Sequence, residues 1–247
     1  MNIAVIFAGG VGSRMHSKEK PKQFLNMHGK PIIVHTMEKF EEHPEIDAIV
    51  VVCIKEWIPY LERLVRKYNL EKIAEIVPGG ANGQESIYFG LCAAERASKQ
   101  EKNIVLIHDG VRPLINQEVI SNSISSVKRH GSAIACVKVK ETVLLVDDKD
   151  GICEIPNRED SRLARAPQSF WLDEILEAHN KAREANLLNF IDCCSMMQYY
   201  GKKLYLIDSP EENIKITTPE DFYIMRAMLD AKEDSQIYGM EEQASET

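Results

Sequence analysis

Residues 5–23 read Val-Ile-Phe-Ala-Gly-Gly-Val-Gly-Ser-Arg-Met-His-Ser-Lys-Glu-Lys-Pro-Lys-Gln. An apolar run (residues 3–7) opens into Gly9, Gly10 and Gly12, and two cations follow, Arg14 and Lys22. Physically this is a buried strand, a turn with almost no side-chain bulk, and positive charge held beside it. Backbone N–H groups in such a turn can approach phosphate oxygens closely, and the cations offset the charge they meet. No Gly-Lys-Ser/Thr closes the loop, so it is not a Walker loop. Gly10-Val11-Gly12 is followed by Ser13-Arg14-Met15, so the third glycine of a dinucleotide fingerprint is missing.

Downstream, short apolar runs alternate with stretches of helical spacing. Residues 49–54 (IVVVCI), 104–107 and, more briefly, 73–77 read as buried strands, with helices between them at 57–68 and 85–98. This alternation predicts a mostly parallel sheet covered by helices on both faces. A helix over 116–129, ended by Gly131, returns to a strand at 133–139. The rhythm breaks at 141–165. There a strand-like 142–146 runs into Asp147-Asp148-Lys149-Asp150-Gly151, a hairpin-turn composition, and then 152–155, which together predict a protruding β-arm. Helices are expected at 172–185 and 193–200, and strands near 203–207 and 214–216. Thr218-Pro219-Glu220-Asp221 reads as a helix start. One domain over residues 1–232 is expected, with a polar, acidic and disordered tail at 233–247.

A chain of 247 residues with 44% apolar content is long enough for such a domain. Its longest apolar runs fall far short of a membrane span, and nothing resembles a signal peptide, so a cytoplasmic protein is expected. The six cysteines show neither a CxxC pair nor metal-ligand spacing and read as small hydrophobes. A net charge of −8 argues against broad nucleic-acid binding. An acidic protein can still take anionic substrates if its cations are concentrated in one pocket.

Several residues could carry chemistry there. Asp109 ends the apolar run 104–107 after His108, at the strand edge where open parallel sheets bind ligands. A carboxylate facing a phosphate loop suits Mg²⁺, which takes one or two carboxylates plus phosphate oxygens. A strand-end aspartate can instead cap the following turn. Arg112 adds a fork able to grip a second phosphate, and His108 reads as structural. Pro78-Gly79-Gly80-Ala81-Asn82-Gly83-Gln84-Glu85-Ser86 is a second glycine-rich turn opening a helix. Its N–H groups and the Ser86 hydroxyl could hold a base or ribose, or the turn could be purely structural. Lys215 and Arg158 carry little signal alone, since long cations are usually solvated.

Taken together, five ordered motifs carry a resemblance: AGGVGSRM (8–15), PKQF (21–24), HDGVRP (108–113), APQSF (166–170) and NIKITTPED (213–221). The chain resembles the cytidylyltransferase family that includes the methylerythritol-phosphate and ribitol-5-phosphate enzymes, from residue 3 to about 229. The resemblance implies a Rossmann-like, nucleotidyltransferase-type α/β fold and a reaction of CTP with a polyol phosphate. It implies CTP contacts at Phe7, Ala8, Gly9, Gly10, Gly80, Ala81, Asn82, Gly83, Ser86 and Gly110. Arg14 and Lys22 would stabilise the triphosphate and the transition state, and Asp109 would bind Mg²⁺. Arg112, Thr142, Arg158 and Lys215 would hold the acceptor phosphate, Arg158 and Lys215 acting in catalysis as well. A homodimer whose β-arm lends Arg158 to the partner's site is also implied.

The chain departs from the family pattern at Gly83, where an arginine is usual, and at Ala166, where a threonine precedes Pro-Gln. The sequence Gly110-Val111 also replaces the Ala-Ala usual after His-Asp in the methylerythritol enzymes. AGG followed by GSRM, Pro31-Ile32 and Ile155-Pro156-Asn157-Arg158 lean toward the ribitol branch. Methylerythritol phosphate is the competing acceptor. A catalytically silent nucleotide-binding module is the competing class, since fold alone does not establish function.

Overall fold

The first apolar run forms strand β1 (Asn2–Ala8) in this computed structural model, which describes residues 1–9, 20–98 and 100–238. A 3-10 turn (Lys22–Phe24) and a small hairpin, β2 (Asn26–Met27) and β3 (Lys30–Pro31), lead into helix α1 (Ile32–Glu41). Then come β4 (Ala48–Cys53), α2 (Ile58–Lys67), β5 (Ile73–Pro78), α3 (Gly83–Ala97), β6 (Ile104–Asp109), α4 (Gln117–His130) and β7 (Ser132–Lys138). The ribbon of β8 (Leu145–Val146) and β9 (Ile152–Glu154) comes next. The chain continues through β10 (Arg162–Trp171), α5 (Leu172–Glu184), α6 (Cys193–Tyr199), β11 (Leu206–Asp208) and α7 (Pro219–Tyr238).

Among the described residues, seven strands form one sheet in the order β11-β7-β10-β6-β1-β4-β5. All run the same way except β10, which is antiparallel to both β6 and β7. The order reverses at β1. The chain first builds outward through β4 and β5, then crosses back by α3 to lay β6 on the other side of β1. Ligands of open α/β sheets bind at the carboxyl ends of strands where the order reverses. In this sheet that point is the edge holding Ala8 and Asp109.

Strands buried on both faces explain the continuous apolar runs. Alternate residues of β1 and β4 feed two cores. Ala4, Ile6, Ile49 and Val51 pack with residues of α1, α2 and α4, while Ile3, Val5, Val50 and Val52 pack with residues of α3, α5 and α6. The α3 face is close enough that a Cβ on Gly90 would lie 2.6 Å from Val5 Cγ1 and 2.7 Å from Val52 Cγ2. A third cluster joins Met225 of α7 to Ile216, Val111, Leu114, Met27 and Ile32. It seats residues 213–216 against the cleft edge. No helix among the described residues is long and apolar enough to cross a membrane.

The mostly parallel sheet matches the sequence reading, with four corrections. Residues 214–216 form no strand, because their backbone bonds go elsewhere: Ile216 N–H donates to Val111 O and the Asn213 carbonyl serves two arginines. The arm is narrower than 141–165, since from Arg162 the chain already pairs with β7 in the main sheet. Helix α1 and strand β10 have no counterpart in the sequence reading; Pro167 and the interspersed charged and polar residues obscure β10's pattern. Helix α7 continues to Tyr238, into the stretch expected to be disordered. The rest of that tail lies outside the described residues.

Gly90→Ala should destabilise the protein by about 1–3 kcal/mol, because overpacking against Val5 and Val52 outweighs alanine's better helix propensity. Urea unfolding tests this, and a rise in midpoint would show that α3 can move off the sheet at little cost.

Candidate active site

Asp109 is the last residue of β6 and is only 5% exposed. Burial alone would raise its pKa, but the charges and hydrogen bonds of Lys215 and Arg112 outweigh burial and hold it below the ordinary carboxylate value. Lys215 Nζ lies 2.5 Å from Oδ1, and Arg112 Nε donates to Oδ2 at 2.8 Å. Its carboxylate is therefore an anion at neutral pH, bracketed by two cations. The turn that brings Arg112 back is closed by Arg112 N–H donating to Asp109 O. His108, fully buried, pairs through Nε2 with Arg112 O, packs on the Phe40 ring and has its pKa lowered to about 4, mainly by burial. It is a neutral structural ring, as the sequence suggested.

The Asn213 carbonyl is the second organising point. It accepts from Arg112 Nη1 at 2.8 Å and from Arg165 Nη1 at 2.9 Å. Asn213 is itself buried, and its amide donates to Ala166 O and Ser209 Oγ. Two residues on, Lys215 reaches Asp109 and lies over the Phe7 ring. One residue further, Ile216 O accepts from Lys22 Nζ at 2.9 Å. Segment 213–216 thus gathers Arg112, Arg165, Lys215 and Lys22. Asp221 locks the start of α7, its Oδ2 accepting from Thr217 N and Thr218 N.

Gly9 and Gly79 meet where β1 and β5 end. A Cβ on Gly79 would lie 3.4 Å from Gly9 Cα, an ordinary contact, and 3.2 Å from Ser86 Oγ, a tight one. Ser86 holds the second turn, its hydroxyl donating to Asn82 O and accepting from Gly80 N. Ala81 N donates to Glu85 Oε2, and the Asn82 side chain caps α3 by accepting from Glu85 N. The groups of this turn that line the cleft are those of Asn82, Gly83 and Gln84. Gly83 faces open space, with nothing within 4 Å of a would-be Cβ. At the first turn, Gln23 donates to Ala8 O at 2.6 Å and ties the Lys22–Phe24 turn to the end of β1. Gly110 is packed under Ala8, where a Cβ would meet Ala8 Cβ at 3.1 Å.

Of the expected residues, Phe7, Asn82, Gly83, Asp109, Arg112 and Lys215 line a cleft of about 510 Å³. Ala8, Gly9, Gly80, Ala81, Ser86, Gly110 and Lys22 are not among its lining residues. Gly10 and Arg14 lie outside the described residues. Thr142 and Arg158 are exposed on the arm and do not line this cleft; Arg158 Nη1 donates to Lys140 O, at 3.3 Å. Sequence reasoning missed Gln23, Arg165 and Asn213. A buried clamp such as Asn213 leaves no periodic trace, and Arg165 sits in a strand interrupted by proline.

The family model for IspD, 2-C-methyl-D-erythritol 4-phosphate cytidylyltransferase, matches residues 2–231. The chain belongs to this cytidylyltransferase family. It is 52% identical over 240 residues to the ribitol-5-phosphate cytidylyltransferase of Streptococcus agalactiae, covering 97% of this chain and all of that one. To the 2-C-methyl-D-erythritol 4-phosphate cytidylyltransferase of Clostridium botulinum it is 38% identical, over 93% of this chain and 97% of that one. Among solved structures, the 4-diphosphocytidyl-2C-methyl-D-erythritol synthase of Anaerococcus prevotii superposes with a TM-score of 0.80 at 26% identity, covering 93% and 98% of the two chains. The cytidylyltransferases are nucleotidyltransferase enzymes, and the structural likeness extends over nearly the whole chain.

His108 and His179 are both buried, with pKa values lowered to about 4, chiefly by burial. The unfolded chain binds their protons near pH 6.5, so the stability these neutral rings confer is complete above that pH and lost as pH falls toward 4. Each contributes on the order of 3 kcal/mol to that loss. Among the described residues, His179 has no hydrogen-bond partner at either ring nitrogen. His179→Phe should therefore flatten the fall in urea midpoint between pH 6.5 and 4. An unchanged slope would mean that His179 takes up its proton equally in both states.

Proposed function

We propose that this chain transfers the cytidylyl group of CTP to D-ribitol 5-phosphate, releasing pyrophosphate and forming CDP-ribitol. The observation that carries the reading is the pair of cations Arg112 and Lys215 on one buried carboxylate, with Lys22 bound to the same 213–216 segment, beside the contact of Gly9 with Gly79. Such a cleft suits two anions that must approach to bonding distance. The choice of acceptor is supported by the higher identity to the ribitol-5-phosphate enzymes.

A phosphate monoester has its second pKa near ~6, so the acceptor is already a nucleophile at neutral pH. One of its oxygens attacks the α-phosphorus of CTP. The bond from that phosphorus to the bridging oxygen breaks, and pyrophosphate leaves in line with the attack. Catalysis is then positioning and electrostatics. In this reading Lys22 and Arg14 take up charge on the α-phosphate and leaving group. Arg112 and Lys215 reduce the repulsion between the two anions.

Mg²⁺ fits as a companion of the triphosphate. Asp109 supplies one carboxylate whose oxygens each keep a further lone pair beyond the Lys215 and Arg112 contacts. Among the described residues no cluster of three His, Cys, Asp or Glu side chains could hold a metal by itself. When bound, the ion would neutralise phosphate charge. The reading places the enzyme in the cytoplasm, where CTP is available.

The reading also includes a homodimer. Leu144, Leu145, Val146, Ile152, Ile155 and Leu163 are all exposed on or beside the arm, an apolar surface that a second copy would cover. The same packing would bring Thr142 and Arg158 to the partner's cleft.

Pyrophosphate release with CTP and Mg²⁺ should be fastest with ribitol 5-phosphate in a panel that also holds methylerythritol, arabinitol and glycerol phosphates. Preference for methylerythritol phosphate would reassign the acceptor, and release with none would leave a nucleotide-binding module.

Lys22→Ala should cut turnover by ~10²–10³, as loss of one transition-state stabiliser does. Refolding it together with an inactive Arg158→Ala variant should restore activity, because a mixed dimer has one site with both defects and one with neither. With half the dimers mixed, about a quarter of all sites should recover. Mixed dimers without recovery would make Arg158 a residue of its own subunit.

A further inference from the structure

Arg165 stands where the pairing of β10 is interrupted. Between Ala164↔Cys136 and Gln168↔Ile134, β10 advances four residues while β7 advances two. The extra residues leave the ladder, and such bulges re-aim side chains. Arg165 is turned into the cleft that holds Asp109, Arg112 and Lys215. It is half-buried and has no carboxylate within ion-pair distance among the described residues. The carboxylates nearby are otherwise engaged. Asp109 is held by Arg112 and Lys215, Glu211 by Lys140, and Asp192 by Gln168 and the N-terminus of α6.

Instead, Arg165 shares the Asn213 carbonyl with Arg112, so two guanidinium groups are held within two hydrogen-bond lengths of one another. Burial and the Arg112 charge both lower the Arg165 pKa. Two like charges crowded this way, with Asp109 facing Arg112 but no carboxylate facing Arg165 among the described residues, make a site for an anion that can bridge them. A phosphate dianion meets two forks with several oxygens.

The side of the sheet identifies which anion. β10 flanks β6 opposite to β1, and the glycine turns and Lys22 lie on the β1 side. Resting on the cytidylyltransferase reading, we infer that Arg165, paired with Arg112 across the Asn213 carbonyl, binds the phosphate of the acceptor rather than the triphosphate of CTP. Arg165 is thereby a substrate-binding residue on a strand whose motif gave no sign of it.

The experiment compares the parent with Arg165→Met and Arg165→Lys, varying ribitol 5-phosphate and CTP separately. Arg165→Met should raise the KM for ribitol 5-phosphate about 10- to 100-fold, the effect of losing a charge-assisted hydrogen bond to an anion, with the CTP KM within about twofold of the parent's. Arg165→Lys should recover part of the loss, because it restores charge but not the fork. Inorganic phosphate, as a competitive inhibitor against the acceptor, should weaken by about tenfold or more in Arg165→Met.

A rise in the CTP KM would assign Arg165 to the triphosphate. An acceptor KM that rises while phosphate inhibition is unchanged would assign it to the polyol hydroxyls. Unchanged constants, or a fall in kcat alone with a lowered melting temperature, would make it structural; each of these overturns the proposal. If the parent turns over no polyol phosphate, the cytidylyltransferase reading fails on its own account. Arg165 is then judged by calorimetric titration with inorganic phosphate, where equal affinities in parent and Arg165→Met overturn the assignment.

Discussion

Asp109 carries a full negative charge in a place that water barely reaches, and that is tenable only while Lys215 and Arg112 stay beside it. Breaking such a buried pair by removing one partner strands the other charge and costs several kcal/mol. The requirement fixes three separate pieces of chain against one another. These are the end of β6, the turn that returns Arg112, and the irregular segment from Asn213 to Ile216. The last piece in turn receives Lys22, and Gln23 ties that turn to the end of β1. A single buried carboxylate thus sets the spacing between the cations of the cleft and the backbone of the first glycine turn.

This also reconciles an acidic chain with an anionic substrate. The net charge of −8 is a property of the whole surface, whereas a ligand in the cleft meets Arg112, Arg165 and Lys215 at short range. Nearby charges in a partly desolvated site interact far more strongly than distant, screened ones. The global sign therefore says little about which ligand is taken, beyond excluding long polyanions that need a broad basic face.

The elements visible in the sequence were those whose physics is local. Continuous apolar runs marked β1, β4 and β6 because burial on both faces removes polar positions. Glycines marked Gly9 and Gly79, whose backbones come into contact. Asp109 was legible because it ends such a run. The features that stayed hidden depend on partners far along the chain. β10 is antiparallel, interrupted by Pro167 and stabilised by strands on both sides. Asn213 works through its backbone carbonyl and a side chain bonded to Ala166, 47 residues away. Ser86 has a structural part that its position alone does not show: in the folded chain its hydroxyl closes the second turn through Gly80 and Asn82.

The order of strands divides the cleft along β6. On the β1 side stand the glycine turns, Gln23 and Lys22, all tied to the end of β1 or to the segment beside it. On the other side stand β10, the bulge that turns Arg165 inward, and the arm that joins β7 to β10. The first set is interlocked, since Gly9 abuts Gly79 and Ser86 and the Gln23 amide holds Ala8, so a change in one element disturbs the next. The second set is tied more narrowly, through the Asn213 clamp on Arg165 and Ala166. A bulge and an exposed ribbon can change in length or side chain without displacing β6, whose register is already set by β1. If the nucleotide occupies the interlocked half, as proposed, the free half is where acceptor choice can vary while the chemistry is kept. Ala166 and Arg165 both lie in that half, and so does every exposed apolar residue of the arm.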